Sequence, residues 1–200
     1  MSHHNNPHTF DSALSALKEG NQRFAAAEAR HPHQDGELRL KLAAEGQTPL
    51  AAVLACSDSR APVELLFDLG FGDLFIVRAA GQVAGPDQIG SIEYAVEHLG
   101  VPLVLVLGHT KCGAITAAVG GAKEAGDLGG LLARLTPVVK AVENLPESEK
   151  LPAAVDKTVD FIIEELRSKS EALAKAEKDG RVRLTGAVYH LDSGQVKFKE

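Results

Sequence analysis

Cysteine is scarce in this 200-residue chain: Cys56 and Cys112 are the only 2. Two thiols exclude a disulfide framework, and in a reducing compartment such a pair points to metal binding or catalysis. Long apolar runs are also missing. The longest strongly apolar stretch, Val101 to Leu107, is interrupted by Pro102 and falls far short of the roughly 20 residues that a membrane-spanning helix needs. Nor is positive charge in excess, since 21 basic against 27 acidic residues give a formal net charge of −6 and no Lys/Arg cluster dominates any stretch. That balance offers no footprint for nucleic acid or an anionic membrane surface, so neither partner is expected. The first residues, with His3, His4 and His8 among polar neighbours, lack the apolar core of a secretory signal, which makes a cytoplasmic location the expectation.

What is present suits one domain. A hydrophobic fraction of 44% is enough for a sizeable core, and no repeat or low-complexity linker divides the chain. Residues 1–200 therefore read as a single domain, with residues 1–35 as an N-terminal arm: Asp11 precedes a run placing Leu14, Leu17 and Phe24 on roughly one helical face. A second helix is expected over Glu37 to Ala44. Between His98 and Ala122 the only Lys, Arg, Asp or Glu is Lys111, which marks the buried centre. Leu50 to Ala55, Leu74 to Val77 and Leu103 to Leu107 read as strands covered on both faces of a parallel sheet. Between them, Pro62 opens a short helix through Phe67, and Asp87 is expected to cap a helix bearing Ile89, Ile92, Val96 and Leu99 that closes at Gly100. A helix beginning at Gly113 follows. The charged region Asp127 to Lys178 reads as two long amphipathic helices divided around Pro146 and Pro152, the second burying Val155, Val159, Ile162, Ile163 and Leu166. Arg183 to Leu191 and Val196 to Phe198 make a terminal strand or hairpin. The fold class is α/β: a central, mostly parallel sheet flanked by helices, with an N-terminal helical arm and a C-terminal edge strand.

The chemistry-bearing residues cluster at strand ends. Cys56 begins Cys-Ser-Asp-Ser-Arg directly after the first strand, and His109 and Cys112 lie in Gly-His-Thr-Lys-Cys-Gly directly after the third. If these strands are parallel neighbours, right-handed crossovers bring the two loops together at the crevice where open α/β sheets bind ligands. Two thiolates and an imidazole form a donor set that zinc accepts, and three protein ligands leave a fourth position open. Taken singly, either cysteine reads as a small buried core residue; the constellation favours metal. A redox disulfide is the third reading, weakened because no Cys-x-x-Cys motif is present. Asp58 and Arg60 follow Cys56 at two-residue steps, so an extended segment projects all three side chains to one side. Arg60 held against Asp58 would keep the carboxylate ionised, either to ligate zinc or to accept a hydrogen bond from a zinc-bound water.

At these residues the chain resembles a β-class carbonic anhydrase: Cys56-Ser57-Asp58-Ser59-Arg60 and His109-Thr110-Lys111-Cys112-Gly113 match that family's two zinc motifs. Gly20 to Phe24, Gly72 to Arg78, Gly90 to Ala95 and Gly186 to Val196 extend the likeness over most of the chain. The resemblance implies zinc on Cys56, His109 and Cys112, with the Asp58/Arg60 dyad controlling the fourth position and Asp58 itself a ligand only in a closed state. It further implies Gln47 as the amide that hydrogen-bonds bicarbonate, Phe75, Ala80 and Tyr94 as the apolar wall around carbon dioxide, and a homodimer or dimer of dimers in which the arm bearing Leu14, Leu17 and Phe24 packs over a neighbouring subunit. The implied activity is reversible hydration of carbon dioxide to bicarbonate and a proton by zinc-bound hydroxide. Hydrolysis of carbonyl sulfide or carbon disulfide, and a noncatalytic zinc-stabilised binding protein, are the alternatives. Several residues depart from the family pattern. Ala79 stands where members commonly have Asn or Val, Gln82 where they have Asn, and His190 where many have Asp. Val53 replaces a Trp that accompanies a noncatalytic bicarbonate site in some members, so an open site at neutral pH is expected.

Overall fold

A computed structural model describes residues 6–199; His3 and His4 lie outside the described residues. Its helices are α1 (Phe10–Ala25), α2 (Gly36–Glu45), α3 (Val63–Leu66), α4 (Pro86–His98), α5 (Gly113–Val119), α6 (Gly126–Ala133), α7 (Thr136–Val142), α8 (Glu147–Lys169) and α9 (Glu171–Lys178). The strands are β1 (Ala51–Ala55), β2 (Leu74–Arg78), β3 (Leu103–His109), β4 (Arg183–Tyr189) and β5 (Val196–Phe198). They form one sheet in the order β2-β1-β3-β4-β5, parallel except for β5, which pairs antiparallel with β4 at the edge. The sheet is the α/β arrangement that the strand runs imply.

β1 and β3 are buried along their whole length because both faces of the sheet are covered. Alternation along them divides the core in two. Ala52, Leu54, Val104 and Val106 face the layer containing Ile92 of α4 and Val155, Val159, Ile162 and Leu166 of α8. Ala51, Val53, Leu103 and Leu105 face Ala13 and Leu17 of α1 and Val63 and Leu66 of α3. The apolar face of α1, expected to pack over a neighbouring subunit, instead packs on this chain's own sheet, with Leu17 wholly buried.

Three local expectations need correction. Gly85, not Asp87, is the N-cap of α4: Gln88 reaches back so that its Oε1 accepts from the Gly85 amide at 3.0 Å, and Asp87 sits in the first turn, where its charge favours the helix dipole. The segment expected as two long helices holds four. Pro152 lies inside α8 rather than breaking it, since the buried face from Val155 to Leu166 stabilises the helix beyond what one missing amide costs. The break expected at Pro146 is present, and the others fall around Leu135 and Ser170, where Pro137 lies in the first turn of α7 and the Ser170 hydroxyl accepts from the Leu173 amide to cap α9.

No helix among the described residues is long and apolar enough to cross a membrane. In the sheet the chain leaves β1 toward β2 on one side and returns to β3 on the other. The carboxyl ends of β1 and β3 therefore flank a switch point, the crevice where doubly wound sheets bind ligands.

Candidate metal centre

Both chemical motifs emerge at that crevice. Cys56 continues β1 and His109 ends β3, while Cys112 stands at the N-cap of α5. The donor atoms of Cys56, His109 and Cys112 lie within 4.8 Å of one another, and all three residues are buried. The two sulfurs are 3.9 Å apart. Thiolates each about 2.3 Å from one tetrahedral ion would be roughly 3.8 Å apart, so this spacing fits a shared metal. His109 supplies a second test. Its Nδ1 lies 2.9 Å from the Thr110 carbonyl and donates to it, which leaves Nε2 with a free lone pair; that atom is buried and has no hydrogen-bond partner. A buried imidazole nitrogen turned toward two thiols is what a metal ligand requires.

Electrostatics couple the three groups, and a metal binding there would displace protons from Cys112 and His109. A hydrogen bond from Cys112 draws the Cys56 thiol below its ordinary pKa against the opposing effect of burial, and the same contact raises Cys112. Burial disfavours a charged His109, but the neighbouring negative charges of Cys56 and Asp58 and the Thr110 carbonyl outweigh it and raise the imidazole's pKa. The Gly81 amide also points at Cys56 Sγ from 3.3 Å.

Asp58 and Arg60 form the pair expected of them. Arg60 donates from Nε to Asp58 Oδ1 at 3.0 Å and from Nη2 to Oδ2 at 2.7 Å, and its backbone amide adds a bond of 2.9 Å to Oδ1. This two-pronged contact holds the Asp58 carboxyl well below the usual carboxylate range. Asp58 Oδ2 stands 3.8 Å from His109 Nε2, at the open side of the donor cluster. Arg60 Nη2 further donates to the Lys111 carbonyl at 3.2 Å, tying the two motifs together.

The other implied site residues do not converge on the cluster within one chain. Ala80 does lie nearby, opening the short turn Ala80–Gln82 that presents the Gly81 amide. Gln47 precedes β1, whose five residues at about 3.3 Å each span roughly 16 Å, while Cys56 follows the strand's other end. It lines a cleft of about 320 Å³ with Arg39, Leu42, Phe71 and Gly72. Phe75 pairs with Ala52 near the start of β1 and stacks on Tyr94 with ring centroids 6.1 Å apart; Tyr94 in turn contacts His98 at 5.1 Å and is half exposed. A cleft of about 420 Å³ behind the second motif, bordered by Thr110, Lys111, Val155, Val188 and Phe198, contains none of the three donors.

Two residues escaped the reading of the sequence. Thr110 orients the imidazole through its carbonyl, and Arg78 donates to the carbonyls of Cys56, Asp58 and Ala61. The available signal for Arg78 was a charged residue ending a strand beside the one that leads into Cys56.

Comparisons with known proteins point the same way. Residues 51–196 match the protein family described as carbonic anhydrase. Carbonic anhydrase 2 of Mycobacterium tuberculosis (strain ATCC 25618 / H37Rv) is 38% identical over 198 residues, covering 94% of this chain and 92% of its own. A carbonic anhydrase of Mycolicibacterium smegmatis is 38% identical over 194 residues, with coverage of 94% and 92%. Among solved structures, a tetrameric β-carbonic anhydrase of Sordaria macrospora superposes with a TM-score of 0.73 at 26% identity, covering 94% of this chain and 95% of that one. A Coccomyxa β-carbonic anhydrase in complex with acetazolamide gives 0.74 at 26% identity, with coverage of 92% and 85%. With its two motifs seated together at the switch point of the sheet, the chain belongs to the carbonic anhydrase family, in its β class.

Proposed function

We propose that the chain hydrates carbon dioxide reversibly to bicarbonate and a proton, using one zinc ion held by Cys56, His109 and Cys112. The observation that carries this reading is the convergence of three donor atoms within 4.8 Å beside a carboxylate already fixed by an arginine. Zinc bound by such donors brings the pKa of a water ligand down to about 7 and so supplies a nucleophile near neutral pH. Cys56 and Cys112 contribute thiolates, and His109 contributes Nε2. Asp58, kept ionised by Arg60, has only acceptor atoms, so it would accept a hydrogen bond from a nucleophile held there and orient it toward the substrate. Released from Arg60, the same carboxylate would close the site as a fourth ligand.

Gln47, Phe75, Ala80 and Tyr94 are assigned to the substrate pocket. Ala80 comes from the chain that holds the metal. Gln47, Phe75 and Tyr94 are assigned to the site of a second copy, because β1 separates Gln47 from its own Cys56 and Tyr94 is open to a neighbour. α2 supports this assembly: it carries Leu38, Leu40 and Leu42 and buries no residue within the chain. A homodimer or dimer of dimers in the cytoplasm is the corresponding reading, in line with the tetrameric Sordaria macrospora enzyme.

Stopped-flow carbon dioxide hydration with elemental analysis tests the centre. One zinc per chain and active hydration are expected. Cys56→Ala, His109→Ala or Cys112→Ala should each abolish both, and a variant retaining both would remove its residue from the ligand set. Mixing Gln47→Ala with His109→Ala subunits should regenerate one intact site in each mixed dimer; no recovery would contradict the shared pocket.

A further inference from the structure

The segment from Cys56 to Ala61 carries one metal donor and both members of the Asp58/Arg60 pair, yet it has no regular secondary structure. Its carbonyls gain no partners from a helix or sheet ladder, and although the Asp58 carbonyl takes a turn bond from the Ala61 amide at 3.0 Å, side chains must hold the rest of its path. Arg78 does this. It ends β2 in register with Ala55, immediately before the segment begins. Its Nε donates to the Cys56 carbonyl at 2.8 Å, and its Nη2 donates to the Asp58 carbonyl at 2.6 Å and the Ala61 carbonyl at 3.2 Å. No carboxylate pairs with Arg78 among the described residues, so the guanidinium is committed to the loop.

We propose that Arg78 is a positioning residue for the hydration reaction: by gripping three carbonyls of the metal loop it sets where the Asp58 carboxylate stands relative to the metal. This role rests on the reading of the site given under Proposed function. Two arginines then divide the work. Arg60 holds the carboxylate oxygens of Asp58, while Arg78 holds its peptide. With the peptide free to pivot, the 3.8 Å gap between Asp58 Oδ2 and His109 Nε2 is short enough for the carboxylate to swing into the open side of the donor cluster. Lysine cannot stand in for Arg78, because the contacts leave from two nitrogens of a rigid planar fork and an ammonium offers all its donors from one atom.

Arg78→Lys and Arg78→Gln compared with the wild type, each loaded with zinc and assayed for metal content, test the role. Zinc is expected to remain at one per chain while kcat falls about 10- to 100-fold, the scale of a misplacement near 1 Å, with KM little changed and the pH midpoint of kcat displaced. Two readouts are independent of turnover. Amide exchange of residues 57–61 should accelerate in both variants, and the visible spectrum of the cobalt-substituted protein should change as Asp58 moves. Wild-type kcat and pH midpoint in both variants would overturn the proposal, as would a loss of rate matched by a loss of zinc. If zinc-loaded wild type does not hydrate carbon dioxide while exchange and the cobalt spectrum still respond to Arg78→Lys, the assigned reaction fails and the positioning of Asp58 by Arg78 stands.

Discussion

Val159 of α8 presses on the sheet between two glycines, and the strand that carries His109 depends on that fit. A Cβ added to Gly108 would lie 2.8 Å from Val159 Cγ2 and 3.2 Å from Gln82 Nε2. Carbon atoms in favourable contact sit about 3.5–4.0 Å apart, so Gly108→Ala demands roughly 1 Å of separation between β3 and α8. Val159 is wholly buried and its branched side chain has one strongly preferred helical rotamer, so it cannot turn aside. Overpacking of this kind costs about 1–3 kcal/mol, which at about 2–4 °C per kcal/mol for a chain of this size lowers the Tm by roughly 2–12 °C. Because Gly108 directly precedes His109, displacement of the strand end should also weaken zinc binding. Gly186 on β4 provides the control. Its added Cβ would meet Val159 Cγ1 at 2.4 Å, but its strand supplies no metal donor, so Gly186→Ala should lose stability while zinc affinity changes little. Val159→Ala removes the obstructing methyl groups, and Gly108→Ala/Val159→Ala should therefore be more stable than the sum of the single changes by about 1–2 kcal/mol. Urea unfolding at fixed protein concentration with saturating zinc, together with competition against a chromophoric chelator, measures both effects. A cycle additive within about 0.5 kcal/mol, or zinc affinity untouched by Gly108→Ala, would refute the argument.

The dyad and the arm make further expectations. Arg60→Ala should free Asp58 toward the metal and suppress hydration with zinc content nearly unchanged, and Asp58→Ala should likewise lose rate and keep metal; wild-type rates for Arg60→Ala across pH 6 to 9, from about one unit below to about two units above a zinc-water pKa near 7, would contradict the dyad's role. The wholly buried Asp68 carboxylate accepts from Arg23 Nε at 2.6 Å and from the amides of Arg30 and His31 at 2.9 and 2.8 Å, so Asp68→Asn strands Arg23 and should cost about 3 kcal/mol at neutral pH. Burial opposes ionisation of Asp68, but Arg23 and the two amides outweigh it and lower the folded pKa. Its contribution is therefore fully present above the unfolded value of about 3.9 and fades as pH falls through the lower folded one. The stability gap between wild type and Asp68→Asn should narrow in acid; thermal melts showing a constant gap from pH 7 down to about 2, well below the unfolded value, would contradict this.

Local chemistry made much of the molecule legible from its residues. Unbroken apolar runs marked β1 and β3 because strands covered on both faces admit few polar side chains; β2, read the same way, lies at the sheet edge with Val77 alone of its five residues buried. Cys56, His109 and Cys112 were legible as a donor set because only a few side-chain types bind a borderline-soft ion; Asp58 and Arg60 do pair, but in a turn closed by the Ala61 amide on the Asp58 carbonyl at 3.0 Å rather than along an extended segment. The same reasoning failed at Pro152. A proline's missing amide is a local property, whereas the apolar face from Val155 to Leu166 that carries α8 past it acts only once the sheet is in place.

Which groups meet was decided by tertiary structure. The strand order β2-β1-β3 brings the ends of β1 and β3 together, although the two motifs are far apart in the chain. Packing turned the apolar side of α1 onto this chain's own sheet, where Leu17 is buried, and left α2 without a buried residue. Arg78 could be read only as a charge ending a strand; the neighbouring strand's register placed its guanidinium against three loop carbonyls. The amino-acid sequence by itself determined the donor types and the strands that bear them, since those follow from side-chain chemistry and local periodicity. Contacts between distant segments depend on sheet register and helix docking, and the folded chain alone fixed the 3.9 Å spacing of the sulfurs, the orientation of His109 and the distance of Gln47 from its own Cys56.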